Sequence, residues 1–559
     1  MRRRLLVRHF LNQFVENDFS PDVDRHQLLA VAAAALVTVP LFSTVFMSVK
    51  YLVRPLQAPG WTQMTTMGDQ VFFCATSLIV SAAIATLEWD ALALSPRDSM
   101  ILGVLPLPRE EVVRAKVTAL VTFAGVFVIA LNALPTLLHP PLTVANFTAN
   151  PLLLVPLVAA QGLSTSMAGA FGFASVVGLR EVLFMCLGEH TFSRVAGTIQ
   201  SGLLFSLLVL LVLAPVRLAG RATWMLEGGT GPLILQPVGW FAATHAAIAG
   251  RVIDKLPAPA LPDRFLVEEN ELRTRYRSSL PHLTRLALRG AGALAFVLTI
   301  SMVVYLRNAR RFHLLPEGQA AATRLGVSRI SDRIASALTR QPATRAGLLF
   351  LARTVAGNPP HRGYILAFMA TGMALLITTA PDAVLAHHSA AAPIRTSQIV
   401  AQTLMLTAMV AGFRAALRTS ADTRAAWIFG IAETGDHGKF RNGVRLGVMT
   451  SAAATVLLLF PLHAAAWGVS IAAAHAINGA ALGWLLVEIA CAAVEQPLVR
   501  TIPPSDGLNT VGVVLLGITV LIVLVLARIE LAALSATGGT FAFAAVMVLL
   551  ATIVRRMNT

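Results

Sequence analysis

The chain has 559 residues, of which 56% are hydrophobic and only 13% charged, with a formal net charge of +16. An ordinary soluble domain carries about a quarter charged residues, so the composition excludes that class and points to an all-α polytopic membrane protein. The positive charge is almost all arginine, spread over many loops without interleaved aromatics, which argues for loops held against anionic membrane lipid and against nucleic acid.

The first stretch, MRRRLLVRHFLNQFVENDF, is basic but lacks an apolar core followed by a small-residue cleavage site. It is expected to be a retained cytoplasmic segment, 1–27. Twelve predominantly apolar runs follow, near 28–49, 69–87, 117–138, 152–176, 202–218, 288–306, 363–384, 397–413, 446–467, 469–493, 508–527 and 536–554. Runs of about 20 such residues are long enough to cross a bilayer. Lipid offers no partner for backbone N–H and C=O groups, so each run is expected to be a helix. The predicted plan is a six-helix half, 28–306, a basic cytoplasmic linker, 307–362, a second six-helix half, 363–554, and a tail, 555–559.

Orientation follows the arginines and lysines. With both termini cytoplasmic, 307–362 lies inside with ten arginines against two acids, 414–445 inside with six basic residues, and 88–116 inside with four. The long segment 219–287 falls outside with eight basic and six acidic residues. Within it, 231–250 is moderately apolar. Its Gln236, two prolines and His245 suit a re-entrant or interfacial helix better than a thirteenth span.

The connection 88–116 is unusually dense in Pro, Arg, Asp and Glu. Ser95-Pro96-Arg97-Asp98 marks a helix start: a capping Ser, Pro at the first position, and an acid three residues after the cap. Pro106 and Pro108 break the chain, and Pro108 begins a second helix with Glu110 and Glu111 near its positive end. Arg114 and Lys116 stand where the third span leaves the interface. Thr419-Ser420-Ala421-Asp422 repeats the cap at the equivalent place in the second half. Trp427 and neighbouring apolar residues follow it, and then Lys439, Arg441 and Arg445 before the next span. The repetition suggests two copies of one plan, a common way to build a transport pathway.

Leu94 to Asp98, Leu105-Pro106-Leu107-Pro108-Arg109-Glu110-Glu111 and Ala115-Lys116, with Glu88 closing the second span, resemble the segment between spans two and three of type-2 ABC exporter permeases. Ala352-Arg353-Thr354 through His361-Arg362 resembles the start of the second half in long bacterial members. The resemblance is most specific over 87–138, and the chain departs from common members in being doubled. It implies a permease subunit of the bacterial cytoplasmic membrane. Glu88, Ser95, Pro96, Arg97, Asp98, Pro106, Pro108, Arg109, Glu110 and Lys116 would then form or support a coupling helix docked on a soluble ATPase. Thr419, Asp422, Trp427, Lys439 and Arg441 would be a weaker second docking site, since that copy lacks the prolines. The resemblance also implies two ATPase copies, with ATP and magnesium bound there and no cofactor on this chain. Either one chain supplies both halves of the pore or two chains associate as a homodimer.

No GxxxxGK[ST] phosphate loop, HExxH, EF-hand or GxSxG pattern occurs, so catalysis by this chain alone is not expected. In the tenth span His475, Asn478 and Glu488 are polar groups in a costly environment. They are read first as contacts between helices. The alternative makes His475 and Glu488 the proton-carrying groups of an ion-coupled secondary transporter. In the fourth span Gln161, Ser164, Thr165, Ser166 and Ala168-Gly169-Ala170 suit close helix packing. Trp61, Trp89, Trp224 and Trp240 fall near predicted interfaces as belt residues.

Overall fold

The computed structural model describes residues 2–15, 40–41, 43–51, 59–93, 98, 102, 105, 107–144, 151–226, 235–256, 263–311, 325–386, 396–418, 437–492 and 510–557. Among them there is no strand, and eight helices are long and apolar enough to cross a membrane. The chain is an integral, multi-pass, all-α membrane protein. It divides into two compact units, 1–318 and 319–559, and the division falls inside the basic segment 307–362.

The first unit contains α1 (Arg2–Val15), α2 (Pro59–Leu87), α3 (Arg109–Val144), α4 (Pro151–Ala219), α5 (Pro237–Ile253) and α6 (Asp263–Arg311). Two predicted spans, 152–176 and 202–218, both lie on α4, which is broken at Gly188 (φ 69°, ψ 164°). The contacts of α2 fix what this break does. Ser77 donates to the Thr165 carbonyl and Arg180 to the Trp89 carbonyl, so 151–187 runs parallel to α2. Gln200 donates to the Thr86 carbonyl, and Gly68 faces the Ala219 carbonyl, so 189–219 runs back antiparallel. Gly188 is therefore a one-residue hairpin between two spans, in a backbone region that side chains exclude.

Helix α3 is antiparallel to α2, with Asn132 donating to Ser77 Oγ at 2.9 Å and His139 beside Asp69 at 3.1 Å. Three prolines near its far end, Pro135, Pro140 and Pro141, are tolerated within the helix. Helix α6 begins well before the predicted span 288–306. Its early part is polar, and charges pair along it: Arg273 with Glu269 four residues earlier, and Arg277 with Asp254 just past the end of α5. Helix α5, which covers most of 231–250, has 17 residues and packs on α6, with Tyr276 donating to the Ala246 carbonyl at 2.7 Å.

The second unit contains α7 (Leu325–Leu338), α8 (Pro342–Gly357), α9 (Pro359–Ala386), α10 (Thr396–Arg418), α11 (His437–Trp467), α12 (Val469–Ala492), α13 (Thr510–Ser535) and α14 (Gly539–Met557). The predicted spans 363–384 and 508–527 fall on α9 and α13, apart from residues 508 and 509, which are outside the described residues. Most of the predicted span 28–49 also lies outside them. Helix α8 crosses the start of α11 at backbone distance: a Cβ at Gly347 would strike the Phe440 carbonyl, and one at Gly443 the Thr344 carbonyl. Apolar surface alone does not hold helices together in lipid, so such close approach supplies dispersion contact instead.

Gly188→Ala is expected to destabilise the chain by about 1–3 kcal/mol, the cost of a side chain in that backbone region. Gly202→Ala, at a position with open space around it, is expected to be neutral or slightly stabilising. Thermal unfolding of both variants in detergent checks the difference.

Candidate functional site at the ends of the third span

At one end of the first unit, α1 lies along the beginning of α3. Its Phe14 stacks on Phe123 at 4.6 Å, and its Leu6 and Phe10 join Trp89, Val112, Ala115 and Phe192 in one core. Lys116 is fully buried there. Its ammonium donates to Gln13 Oε1 at 2.9 Å and lies over the rings of Phe10 and Phe14. Gln13 in turn donates to Asp98 Oδ1 at 2.6 Å. One amide thus bridges a buried cation and a buried carboxylate, the arrangement a low-dielectric site requires.

A second set of contacts closes the same end. Arg180 holds the Trp89 carbonyl at 2.8 Å and Glu181 Oε1 at 2.5 Å, and Asn308 donates to Glu181 Oε2 at 2.8 Å. Together they tie the ends of α2, the first half of α4, and α6. Glu88 lies at the end of α2 and is buried. The chain then turns through 88–92, with Leu92 bonded back to the Glu88 carbonyl. Trp89 is not a belt residue: it is 1% exposed and faces Phe192, so its position two residues past the end of α2 places it in the core.

Pro108 and Arg109 mark the start of α3, as the proline pattern predicts, with the Pro108 carbonyl accepting from the Glu111 amide. Pro108, Arg109, Glu110 and Arg114 are exposed. Glu110 and Arg114 pair at 2.8 Å across one turn, a contact of about 0.3–0.5 kcal/mol at most. Exposed charge at Glu110 and Arg114 and a buried lysine at 116 give that helix end one open face and one face for the core. Ser95, Pro96, Arg97 and Pro106 lie outside the described residues, as do Thr419, Asp422 and Trp427.

The second unit has a comparable end built from different residues. Lys439 is exposed, Arg441 half-buried and Arg445 buried, where the first unit has Arg109 and Arg114 exposed and Lys116 buried. Arg445 Nε stands 3.1 Å from Glu488 Oε2, an electrostatic contact without hydrogen-bond alignment, and Trp484 donates to Glu488 Oε1 at 3.2 Å. Helix α8 packs on the start of α11 as α1 packs on α3. Each unit thus has an amphipathic helix laid on its third span, a feature missed from sequence, and a buried glutamate near the end of the fourth; Glu488 was singled out from sequence and Glu181 was not.

His475 and Glu488 are thirteen residues apart on α12, about 20 Å by helix rise, and the fold does not bring them together. His475 instead meets Glu530 of α13 at 2.6 Å and lies edge-on to His463 and Trp467. Asn478 is fully buried, and neither amide atom has a hydrogen-bond partner among the described residues. In the first unit, buried Asp69 accepts from Tyr51 at 2.6 Å and is also bonded to Lys50 and His139. A charged residue at the edge of an apolar run was the available signal for Asp69, whereas Arg180, Glu181 and Glu530 fell between runs and looked like loop charges. Among the described residues no three His, Cys, Asp or Glu side chains gather as a metal site. No protein-family model, no curated protein and no solved structure matches the chain.

Arg445→Met is expected to destabilise the chain by about 3–5 kcal/mol, because it strands Glu488 in a buried site. Arg445→Met combined with Glu488→Met is expected to recover most of that loss. Unfolding midpoints of the single and double variants in detergent check the recovery.

Proposed function

We propose that the chain is the membrane-spanning permease subunit of an ATP-driven ABC exporter in a bacterial cytoplasmic membrane. ATP and magnesium act on soluble ATPase partners, and substrate crosses through the helices of this chain. The resemblance of 87–138 to type-2 permeases motivates the reading. The observation that carries it is the two-sided start of α3. Arg109, Glu110 and Arg114 are exposed, while Lys116, two residues past Arg114 and so on the opposite side of the helix from it, is buried against Gln13 and the aromatic rings of α1. A push on the exposed face cannot be absorbed locally. It is handed to α1 through Lys116. The neighbouring ends of α2, α4 and α6 are joined to one another by Arg180, Glu181 and Asn308. In the first unit, a docked ATPase would therefore move several spans together.

A second reading, an ion-coupled secondary transporter, is favoured by the buried His475–Glu530 pair, since a carboxylate in that environment is costly unless it serves a purpose. The two readings differ in what accompanies the chain. Purified from its native membrane, an exporter subunit brings a soluble ATPase with it and stimulates its hydrolysis. Reversing the exposed charges together, Arg109→Glu with Glu110→Arg, is expected to release that ATPase while leaving the unfolding midpoint within about 0.5 kcal/mol of wild type, as for other surface changes. Retention of the ATPase by this variant, or its absence from the wild-type preparation, would overturn the docking assignment.

A further inference from the structure

Between α3, the first half of α4 and α6 of the first unit runs an open groove of about 360 Å³. Its walls are almost wholly apolar, and several wall residues face outward: Val121, Ile129 and Met302 are 58%, 66% and 38% exposed. The groove exists because small residues line it, Gly125 and Ala170 among them. A Cβ at Gly125 would meet nothing within 4 Å. Along α3 it extends from Val117 to Ile129, twelve residue steps or about 18 Å. One leaflet of a bilayer's hydrocarbon core is about 15 Å deep, so the groove has the length of a single acyl chain.

Its two ends differ. The end at Ile129 is apolar. At the other, Tyr305 lines the groove, and its buried hydroxyl has no hydrogen-bond partner among the described residues. Ser301, one turn earlier, is already used, donating to the Ala174 carbonyl at 2.9 Å. A phenol shielded from water and left unbonded costs about 1–3 kcal/mol, and an oxygen at the head of an acyl chain would relieve it. Beside this end lies α1, where Arg3 donates to Thr118 Oγ1 at 3.4 Å and Arg4 and Arg8 are exposed, with no acid anywhere in the helix. The α1 side of the rim is therefore cationic, while Glu181 and Asp98, with Arg180, act on Tyr305 from the core side.

We infer that this groove binds one anionic phospholipid of the leaflet bordering α1. One acyl chain lies between α3, α4 and α6, an ester or phosphate oxygen accepts from Tyr305, and the phosphate rests against Arg3. Neutral lipid would fill the same trough without the charge at its rim. The site does not depend on what drives the chain.

The test uses the full-length chain in detergent with photoactivatable phosphatidylglycerol or phosphatidylcholine carrying the reactive group on an acyl chain. Crosslinked peptides are then mapped by mass spectrometry. Phosphatidylglycerol is expected to label peptides containing 117–129, 166–177 and 298–305 above all other lipid-facing helices, and to outcompete phosphatidylcholine. Gly125→Trp is expected to abolish that labelling, whereas Gly202→Trp, also in open space, leaves it intact. Arg3→Gln, an exposed change that spares the fold, is expected to lower the preference for the anionic lipid about fivefold, the worth of one basic residue near a charged surface. Labelling spread evenly over the helices and unmoved by Gly125→Trp would mean ordinary boundary lipid and overturn the site. Equal labelling by the two lipids, or a preference that survives Arg3→Gln, would overturn the anionic headgroup.

Discussion

In hydrocarbon, a leucine gains nothing by leaving lipid for another helix, so these spans need other reasons to associate. The structure uses two. One is close backbone approach at small residues, as where Gly172 lies against the Leu78 carbonyl. The other is a polar bond that lipid cannot replace, as where Asn132 bonds Ser77 and Ser77 bonds the Thr165 carbonyl. The second chain of contacts joins α3 to α2 and α2 to α4 at mid-membrane. It orders three spans with two side chains, and the remaining polar clusters are placed relative to that stack.

The charged clusters sit toward the ends of the spans. In the first unit one end holds Lys116, Gln13 and Asp98 beside Arg180, Glu181 and Asn308. The other holds Asp69 with Lys50, Tyr51 and His139. A buried carboxylate is tolerated only when its lone pairs are met, and Asp69 meets three groups from two other segments of the chain. Such clusters resist independent movement of the helices they join. The first unit is therefore stiff at its ends and joined at mid-depth, the mechanical character that the proposed docking role needs.

Periodicity and run length were enough to place α2, α3, α9, α10, α11, α12 and α14, because apolar length is a property of each segment alone. The hairpin at Gly188 was not legible: 177–201 carries Arg180, Glu181, Glu189, His190 and Arg194, which look like a loop, yet helix continues on both sides of one glycine. Helix α6 was shortened in prediction because Arg273 and Arg277 look like loop charges until their partners are known. Trp89 was misplaced for a related reason. A tryptophan near a span end suits the interface, and only the arrival of Phe192 and Arg180 from α4 makes the position a core. Within the candidate site, Pro108 and the charge pattern of 109–116 were readable locally. Gln13 was not, because nothing in an N-terminal glutamine announces a lysine about a hundred residues away.

The same distinction explains why the two halves look so little alike in sequence. What recurs is a physical requirement at the start of the third span, where a cation enters a dry site and must be compensated. The first unit meets it with Gln13, which relays Lys116 to Asp98. The second meets it with Glu488, in direct contact with Arg445. An amide bridge and an ion pair share no residue type and come from different parts of the chain, so alignment of the halves finds neither. In both units the cations before that span run from an exposed one, Arg109 or Lys439, to a buried one, Lys116 or Arg445.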